Sequence, residues 1–254
     1  MKAYTNTDTN AAVLTTTAGS FNTLLKHYLL PLGWTIVDET GFVLKLQNSS
    51  EHVAKFKDVE HKVYLTGFRS FTDTLGFPNS TQMLVDGEVA VVGSRNTITS
   101  WVLFADSETF YFVLNEELLA FGSYEPLFVT DTQTSFVIGN QYYLGNQTLI
   151  VQPSQLTTLL FLEGTLGQFP FSRKGGLSIP WNVDSYTLKP GPDYLVSASP
   201  VVVHESESVM RGFLPNLFVF NSNFTHNGTI YSQGGYRLYC VTIDDRCYGV
   251  RLDD

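Results

Sequence analysis

The chain has 254 residues, enough to bury a substantial core in one large β domain or in two smaller ones. Only 15% of the residues are charged while 14% are aromatic, and neutral Thr, Ser, Asn and Gln supply much of the polarity. The formal net charge of −9, with the basic residues scattered, argues against a nucleic-acid-binding surface, which concentrates Lys and Arg.

The first predicted element is a helix near the start of the chain. Its apolar residues recur at helical spacing: Phe21, Leu24, Leu25, Tyr28 and Leu29. Ser20 precedes them as a candidate N-cap, and Pro31-Leu32-Gly33 ends the pattern. The polar residues before this helix lack the apolar core of a secretion signal, and no run is long enough to span a bilayer. We therefore expect folding in a cytoplasm, without a membrane segment.

Beyond Trp34 the sequence is strand-like almost throughout. Short β-branched and aromatic runs bounded by turn residues occur at Phe42–Leu46, Lys62–Thr66, Glu88–Val92, Tyr194–Ser197, Pro200–His204, Leu217–Phe220 and Tyr236–Thr242. Two hairpins are predicted. One spans Trp101–Leu114 around a turn at Asp106-Ser107-Glu108, and the other has a tight Gly139-Asn140 turn. The fold class predicted is mainly β, with antiparallel sheets or a β-sandwich and one N-terminal α-helix.

A cluster of Gly and Pro residues from Gly164 to Pro192 interrupts the strand pattern. Such a stretch is typical of a linker or of a long loop that docks on a neighbour. We predict a helix plus an antiparallel β domain over 1–150, and a Gly/Pro-rich region with a C-terminal β part over 151–254. The same pattern is also compatible with a single domain.

Residues that usually carry catalysis or bind cofactors are sparse. The five histidines are widely spaced, and neither a Cys-x-x-Cys group nor a Gly-x-Ser-x-Gly motif occurs. Asp106 and Glu108 form the one carboxylate pair with glycosidase potential, but their place in a turn favours solvated loop charges. We expect no catalytic residue, no cofactor and no metal.

The two cysteines, Cys240 and Cys247, lie on either side of a predicted turn. A turn at Ile243-Asp244 would place them opposite one another, whereas a turn at Asp244-Asp245 would offset them. A reducing cytoplasm favours two unpaired thiols.

Short motifs follow one another along most of the chain. They are Asn10–Leu14, Ala18–Ser20, Leu24-Leu25, Gly33-Trp34, Tyr64-Leu65, Gly67–Asp73, Phe77-Pro78 before Gln82, the Trp101–Val113 hairpin, Phe121-Gly122 with Tyr124, and Arg211–Pro215 with Leu217. In content and order they resemble a family of virion proteins of tailed bacteriophages. The chain departs from that family by lacking a long insertion before Gly33-Trp34. It also has Phe213 and Asn216 where Arg and Gly are expected.

The resemblance implies a non-enzymatic structural component of the virion and does not fix its position in the particle. Our leading expectation is a component of the tail, neck or baseplate. Such a protein is assembled in the bacterial host cytoplasm, contacts other virion proteins and forms a symmetric homo-oligomer, with no direct contact to nucleic acid or membrane. We expect the Gly164–Pro192 region to act as an assembly arm. The candidate interface residues are Trp181, Phe169, Phe171, Arg211 and Phe213.

Two alternatives stay open. One is a decoration protein that binds the major capsid protein. The other is a carbohydrate-binding or carbohydrate-hydrolysing β module for host recognition, which predicts exposed aromatic side chains along a groove. Trp34, Trp101 and Trp181 are its candidate platform, although the strand residues around Trp101 favour core packing and Trp181 is the better surface candidate.

Overall fold

The computed structural model describes residues 1–68, 84–85, 88–89, 91–95, 97–115, 117–127, 129, 134–141, 147–151, 159–161, 177–178, 198–206, 209–220, 227–233, 236–243 and 246–253. In this part of the chain the fold is mainly β, with three antiparallel sheets and one α-helix, as the sequence predicts. The predicted strand Tyr194–Ser197 lies outside the described residues, as does the Gly164–Pro192 region except for two residues. The division into 1–150 and 151–254 stays a prediction.

The helices are α1 (Ser20–Leu29) and a 3₁₀ turn, η1 (Leu30–Leu32). The strands are β1 (Lys2–Thr5), β2 (Thr35–Thr40), β3 (Val43–Gln47), β4 (Val53–Val59), β5 (Lys62–Phe68), β6 (Leu84–Val85), β7 (Glu88–Val89), β8 (Val91–Ser94), β9 (Trp101–Ala105), β10 (Phe110–Leu114), β11 (Glu117–Ser123), β12 (Glu125–Pro126), β13 (Ser135–Gln141), β14 (Gln147–Val151), β15 (Leu159–Phe161), β16 (Leu177–Ser178), β17 (Ala198–Ser206), β18 (Val209–Phe220), β19 (Ile230–Gln233), β20 (Tyr236–Ile243) and β21 (Arg246–Leu252).

The strands form two large sheets and one small ribbon. The larger sheet runs in the order β1-β9-β10-β11-β13-β8-β5-β4-β3-β2, and β14 and β15 continue from β13. The C-terminal sheet runs β16-β17-β18-β21-β20-β19, with β12 also paired to β18. Strands β6 and β7 pair only with each other among the described residues.

Strands β9, β10 and β11 form a central layer that is buried on both faces. Phe110 and Phe112 point into a core made with α1 and strands β3 to β5. The intervening Tyr111 and Val113 point into a second core made with β18, β20 and β21. This double burial explains why the predicted Trp101–Leu114 hairpin is apolar almost without interruption, since neither face needs polar residues. The hairpin is confirmed, with Ala105 opposite Phe110.

The two sheets meet through the second core in a sandwich-like arrangement. Leu214, Leu217 and Val250 of the C-terminal sheet are buried there against the central layer. A hydrogen bond also crosses the interface, because the Tyr111 hydroxyl donates to the carbonyl oxygen of Pro215 at 2.9 Å.

The predicted helix is confirmed, but its N-terminus is not capped by Ser20. Gly19 is the N-cap residue, with φ of 85°, and provides no side-chain cap. The Ser20 hydroxyl donates instead to the Thr15 carbonyl oxygen at 2.8 Å. In the first turn of the helix, the amides of Phe21 and Asn22 donate to the carboxylate of Asp58 in β4. At the other end the helix gives way to η1, and Gly33 follows with φ of 97°.

The predicted Gly139-Asn140 turn is wrong. Both residues lie within β13, where Gly139 is opposite Leu149 and Asn140 is opposite Thr148 of β14. Pairing of the apolar run in β14 with β13 sets this register, which overrides the local turn preference of the two residues.

The turn between β20 and β21 offsets the cysteines. Ile243 is opposite Arg246, so Cys240 faces Gly249 across the ladder and Cys247 faces Thr242. Cys240 is a buried thiol.

Candidate functional site: a polar cleft between the sheets

An open cleft lies where the start of β9 and the end of β10 approach the C-terminal sheet. Its volume is about 320 Å³, within the range of small-molecule sites. The rim consists of exposed, neutral polar residues: Asn6, Thr7, Thr99, Ser100 and Asn227. We call this opening the Thr/Asn cleft.

One wall of the cleft is a tight turn that follows β1. The Asp8 carboxylate accepts hydrogen bonds from the Thr5 amide at 2.8 Å and from the Thr5 hydroxyl at 2.9 Å. The Asn6 amide donates to the Trp101 carbonyl oxygen at 3.3 Å, which fixes the turn against β9. Local side-chain to backbone bonds of this kind hold a turn in one shape.

The opposite wall is organised by Asn115, which has a φ of 48°. Its side-chain oxygen accepts hydrogen bonds from the amides of Thr99 at 2.9 Å and Ser100 at 3.1 Å. Its side-chain nitrogen donates to the Thr97 carbonyl oxygen. Asn tolerates the left-handed conformation, so Asn115 both begins the turn from β10 to β11 and holds the 97–100 segment in place.

The floor of the cleft is apolar. Val102, Val113 and Val241 are buried there and belong to the core between the two sheets. Tyr239 is half-buried, and its ring lies edge-on to Phe104 with 5.2 Å between centroids.

The Tyr239 phenol is neutral under ordinary conditions. Burial raises its pKa above 10, and the nearby Asp8 and Cys240 raise it further. Among the described residues that line the cleft there is no charged side chain. The cleft therefore offers hydrogen bonds and apolar contact, with neither a nucleophile activated by a base nor a fixed charge.

A second polar group is buried where β4 begins and β11 ends. The Nδ1 atom of His52 lies 3.0 Å from the Ser123 hydroxyl, and both side chains are 7% exposed. Burial lowers the pKa of His52, and Glu108 opposes that shift. A serine beside an imidazole is the pairing used in nucleophilic catalysis, but such a serine must reach substrate. The burial of both partners assigns this pair to the core.

The carboxylates of the hairpin turn have separate roles. The Asp106 side chain accepts hydrogen bonds from the amides of Glu108 at 2.9 Å and Thr109 at 2.8 Å, and the Asp106 carbonyl oxygen accepts one from Trp34 Nε1 at 2.7 Å. Burial raises the pKa of Asp106. Asp106 is thus a half-buried turn-forming residue, contrary to the expectation of a solvated charge, whereas Glu108 is exposed as expected.

The predicted interface residues are only partly placed. Phe213 is half-buried in β18, opposite Glu125 and Val202. Arg211 belongs to the same strand. The remaining three, Trp181, Phe169 and Phe171, lie outside the described residues. Phe213 is not among the described residues that line the Thr/Asn cleft. The interface role of Phe213 and Arg211 stays a prediction.

The tryptophan platform of the carbohydrate-binding alternative is not formed by Trp34 and Trp101. These two side chains are 2% and 4% exposed and pack in the core around α1. The prediction of core packing for Trp101 is confirmed, and Trp34 shares that environment.

Within the described ranges, no three His, Cys, Asp or Glu side chains lie together as a metal site would require. None of the described helices combines the length and apolar character needed to cross a membrane.

The sequence alone does not reveal the cleft. Three parts of its lining come from residues 5–7, 99–102 and 113–115. The fourth part comes from residues between 227 and 241, more than a hundred residues later. The sequence features that belong to the cleft are a Thr- and Asn-rich N-terminal segment and an Asn after a strand. Both are too common in proteins to predict a binding site. No model of a known protein family matches this chain, and a search among curated proteins finds no significant match.

Proposed function

We propose that the chain is a structural component of a tailed-bacteriophage virion, located in the tail, neck or baseplate and acting by protein–protein assembly. The ordered motifs of the sequence support the virion assignment. The low charge content supports an assembly role, because few charged side chains must lose water when such surfaces associate.

Exposed apolar side chains at one edge of the larger sheet carry the assembly part of the proposal. Of seven exposed large apolar residues in the described part of the chain, four come from the segment 13–42, which contains α1 and β2: Val13, Leu30, Ile36 and Phe42. Strand β2 is the last strand of the larger sheet among the described residues. Ile36 on β2 is 42% exposed, and Phe42 just beyond it is 53% exposed. We call Ile36, Phe42 and the outer side of β2 the β2 edge.

An open strand edge can pair with any other strand, so natural proteins usually restrict it. The β2 edge carries two such restrictions. Its pairing with β3 has a register shift between Ile36 and Asp38. Its acidic residues are engaged by lysines, with Asp38 at 3.0 Å from Lys45 and Glu39 at 2.5 Å from Lys26. The register shift and the ion pairs limit pairing of β2 with unrelated strands, while Ile36 and Phe42 offer apolar contact surface. This combination favours binding of a specific protein partner over nonspecific aggregation.

The direct test is the protein content of particles made by the phage that encodes the chain. Purified particles are separated into heads and tails, and each fraction is analysed by mass spectrometry. The proposal expects stoichiometric amounts of the chain in the tail-side fraction and particles that fail to form when its gene carries an amber mutation. Absence from purified particles would overturn the virion assignment. Presence on heads alone would replace it with the capsid-decoration alternative.

A further inference from the structure

We propose that the Thr/Asn cleft is a binding site for a neutral saccharide. The inference is independent of the virion assignment, since it follows from the chemistry of the cleft alone. The volume of about 320 Å³ admits a small ligand and leaves the cleft open to chain extension in solvent.

The charge of the lining selects the ligand class. The rim presents hydroxyl and amide groups from Thr7, Thr99, Ser100, Asn6 and Asn227, and no described lining residue carries a charge. A phosphate, carboxylate or metal ion would lose water on entering without gaining a counter-charge, which disfavours it. A sugar carries many hydroxyl groups without net charge, so it can exchange its water for these neutral partners.

Three polar groups in the lining are open to a ligand. Within the described part of the chain, Asn6 Nδ2, Ser100 Oγ and Tyr239 Oη make no hydrogen bond to protein. The Tyr239 hydroxyl stands at the wall near Gly228, where a Cβ atom would lie 3.7 Å from it. These are an amide group, a hydroxyl group and a phenol around a single opening. They can form hydrogen bonds with the hydroxyl groups of a sugar ring, each of which both donates and accepts.

The rest of the cleft is held in place before any ligand arrives. The side chains of Thr5 and Asn115 are occupied by hydrogen bonds within their own walls. Tyr239 and the valine floor supply apolar surface for the carbon–hydrogen face of a sugar. A preformed rim lowers the ordering cost of binding, which matters most for a small, weakly bound ligand. Tyr239 therefore takes the place that the sequence-based alternative gave to tryptophan.

The experiment is saturation-transfer NMR on the full chain with glucose, galactose, N-acetylglucosamine and rhamnose, each offered singly. Inorganic phosphate and acetate serve as charged probes. Ser100→Trp fills the cleft from an exposed position, and Ser232→Trp introduces the same side chain at an exposed site outside it. Tyr239→Phe removes only the phenolic hydroxyl. Circular dichroism and thermal melting verify that every variant is folded.

The proposal expects saturation transfer to at least one sugar and none to phosphate or acetate. Ser100→Trp should weaken binding by about tenfold or more, equivalent to about 1.4 kcal/mol. Tyr239→Phe should weaken it roughly two- to tenfold, as expected for one neutral hydrogen bond. Ser232→Trp should leave it unchanged. No transfer to any of the four sugars, or equal binding by Ser100→Trp and the parent protein, would overturn the assignment.

Discussion

The carboxylate of Asp58 pairs with the guanidinium of Arg95 inside the protein, where the two side chains are 0% and 1% exposed. The other carboxylate oxygen of Asp58 accepts hydrogen bonds from the first amides of α1, at 2.8 Å from Phe21 and 3.1 Å from Asn22. Arg95 also donates to the Thr15 carbonyl oxygen at 3.2 Å. One buried ion pair therefore joins the start of the helix, the segment before it and strand β4.

Asp58→Ala should strongly destabilise the protein. It leaves the Arg95 charge buried without its partner and removes the acceptor at the helix N-terminus, for an expected loss of about 3–5 kcal/mol in the free energy of unfolding. Urea unfolding followed by fluorescence measures the loss. Glu39→Ala is the control, because it breaks the exposed ion pair with Lys26 and should cost less than about 1 kcal/mol. Similar losses for the two variants would contradict the structural role of the buried pair.

The helix shows what the sequence predicts and what it leaves out. Its span follows from local apolar spacing and from the breakers at Pro31 and Gly33, which act within a few residues. The hydrogen-bond acceptor of its first turn does not follow from local sequence. Asp58 lies 37 residues after Phe21, and a local capping rule can only point to Ser20. Such contacts depend on how β4 packs against the helix, which the sequence pattern does not specify.

The same distinction applies to the strands and the cleft. The apolar hairpin Trp101–Leu114 is predictable because strand preference and burial agree there. Gly139-Asn140 is mispredicted because a long-range register overrides a local preference. The Thr/Asn cleft is assembled from four distant segments, so its residue types acquire meaning only when the C-terminal sheet packs against the central layer.

Gly122→Ala should be among the most damaging single-methyl additions. A Cβ atom at Gly122 would lie 2.6 Å from Thr109 Cβ and 2.7 Å from Thr109 Cα. Thr109 directly precedes Phe110, the first residue of β10, so its backbone cannot move away without disturbing the pairing of Phe110 with Phe121. We expect a loss of about 3 kcal/mol or more, measured by thermal and urea unfolding.

Gly41→Ala separates this steric effect from the general effect of replacing glycine. Gly41 has a φ of 59° and no atom within 4 Å of an added Cβ. Only backbone strain remains there, at about 1–2 kcal/mol. A larger loss for Gly41→Ala than for Gly122→Ala would refute the steric argument.

His52 should make the protein less stable in mild acid. Burial lowers its pKa in the folded state below the ordinary value of 6.5, so the unfolded chain takes up a proton at a higher pH than the folded chain does. The stability that the neutral, buried His52 contributes is fully present above pH 6.5. It is lost as the pH falls from 6.5 to the lowered pKa of the folded state.

The measurement is the free energy of unfolding between about pH 5 and pH 7.5, where most carboxylates stay ionised. His52→Gln should flatten the slope just below pH 6.5. Thr23→Gln introduces the same side chain on the exposed side of α1 without touching a titratable group, and it should leave the slope as in the parent protein. A slope that survives in His52→Gln would assign the pH dependence to another group.

The β2 edge should control assembly without controlling folding. The double variant Ile36→Thr with Phe42→Ser removes the exposed apolar groups while keeping a β-branched residue in the strand. Because both side chains are about half exposed, the free energy of unfolding should change by no more than about 1 kcal/mol. Self-association measured by light scattering, and incorporation into particles in a complementation assay, should both fall by about tenfold or more.

Leu127→Ser is the matched control, since Leu127 is 46% exposed and lies away from β2 in the chain. It should assemble normally, because the proposal assigns the contact to the β2 edge and not to exposed apolar surface in general. Normal incorporation of the double variant would remove the β2 edge from the assembly mechanism and leave the virion assignment to be tested by particle composition alone.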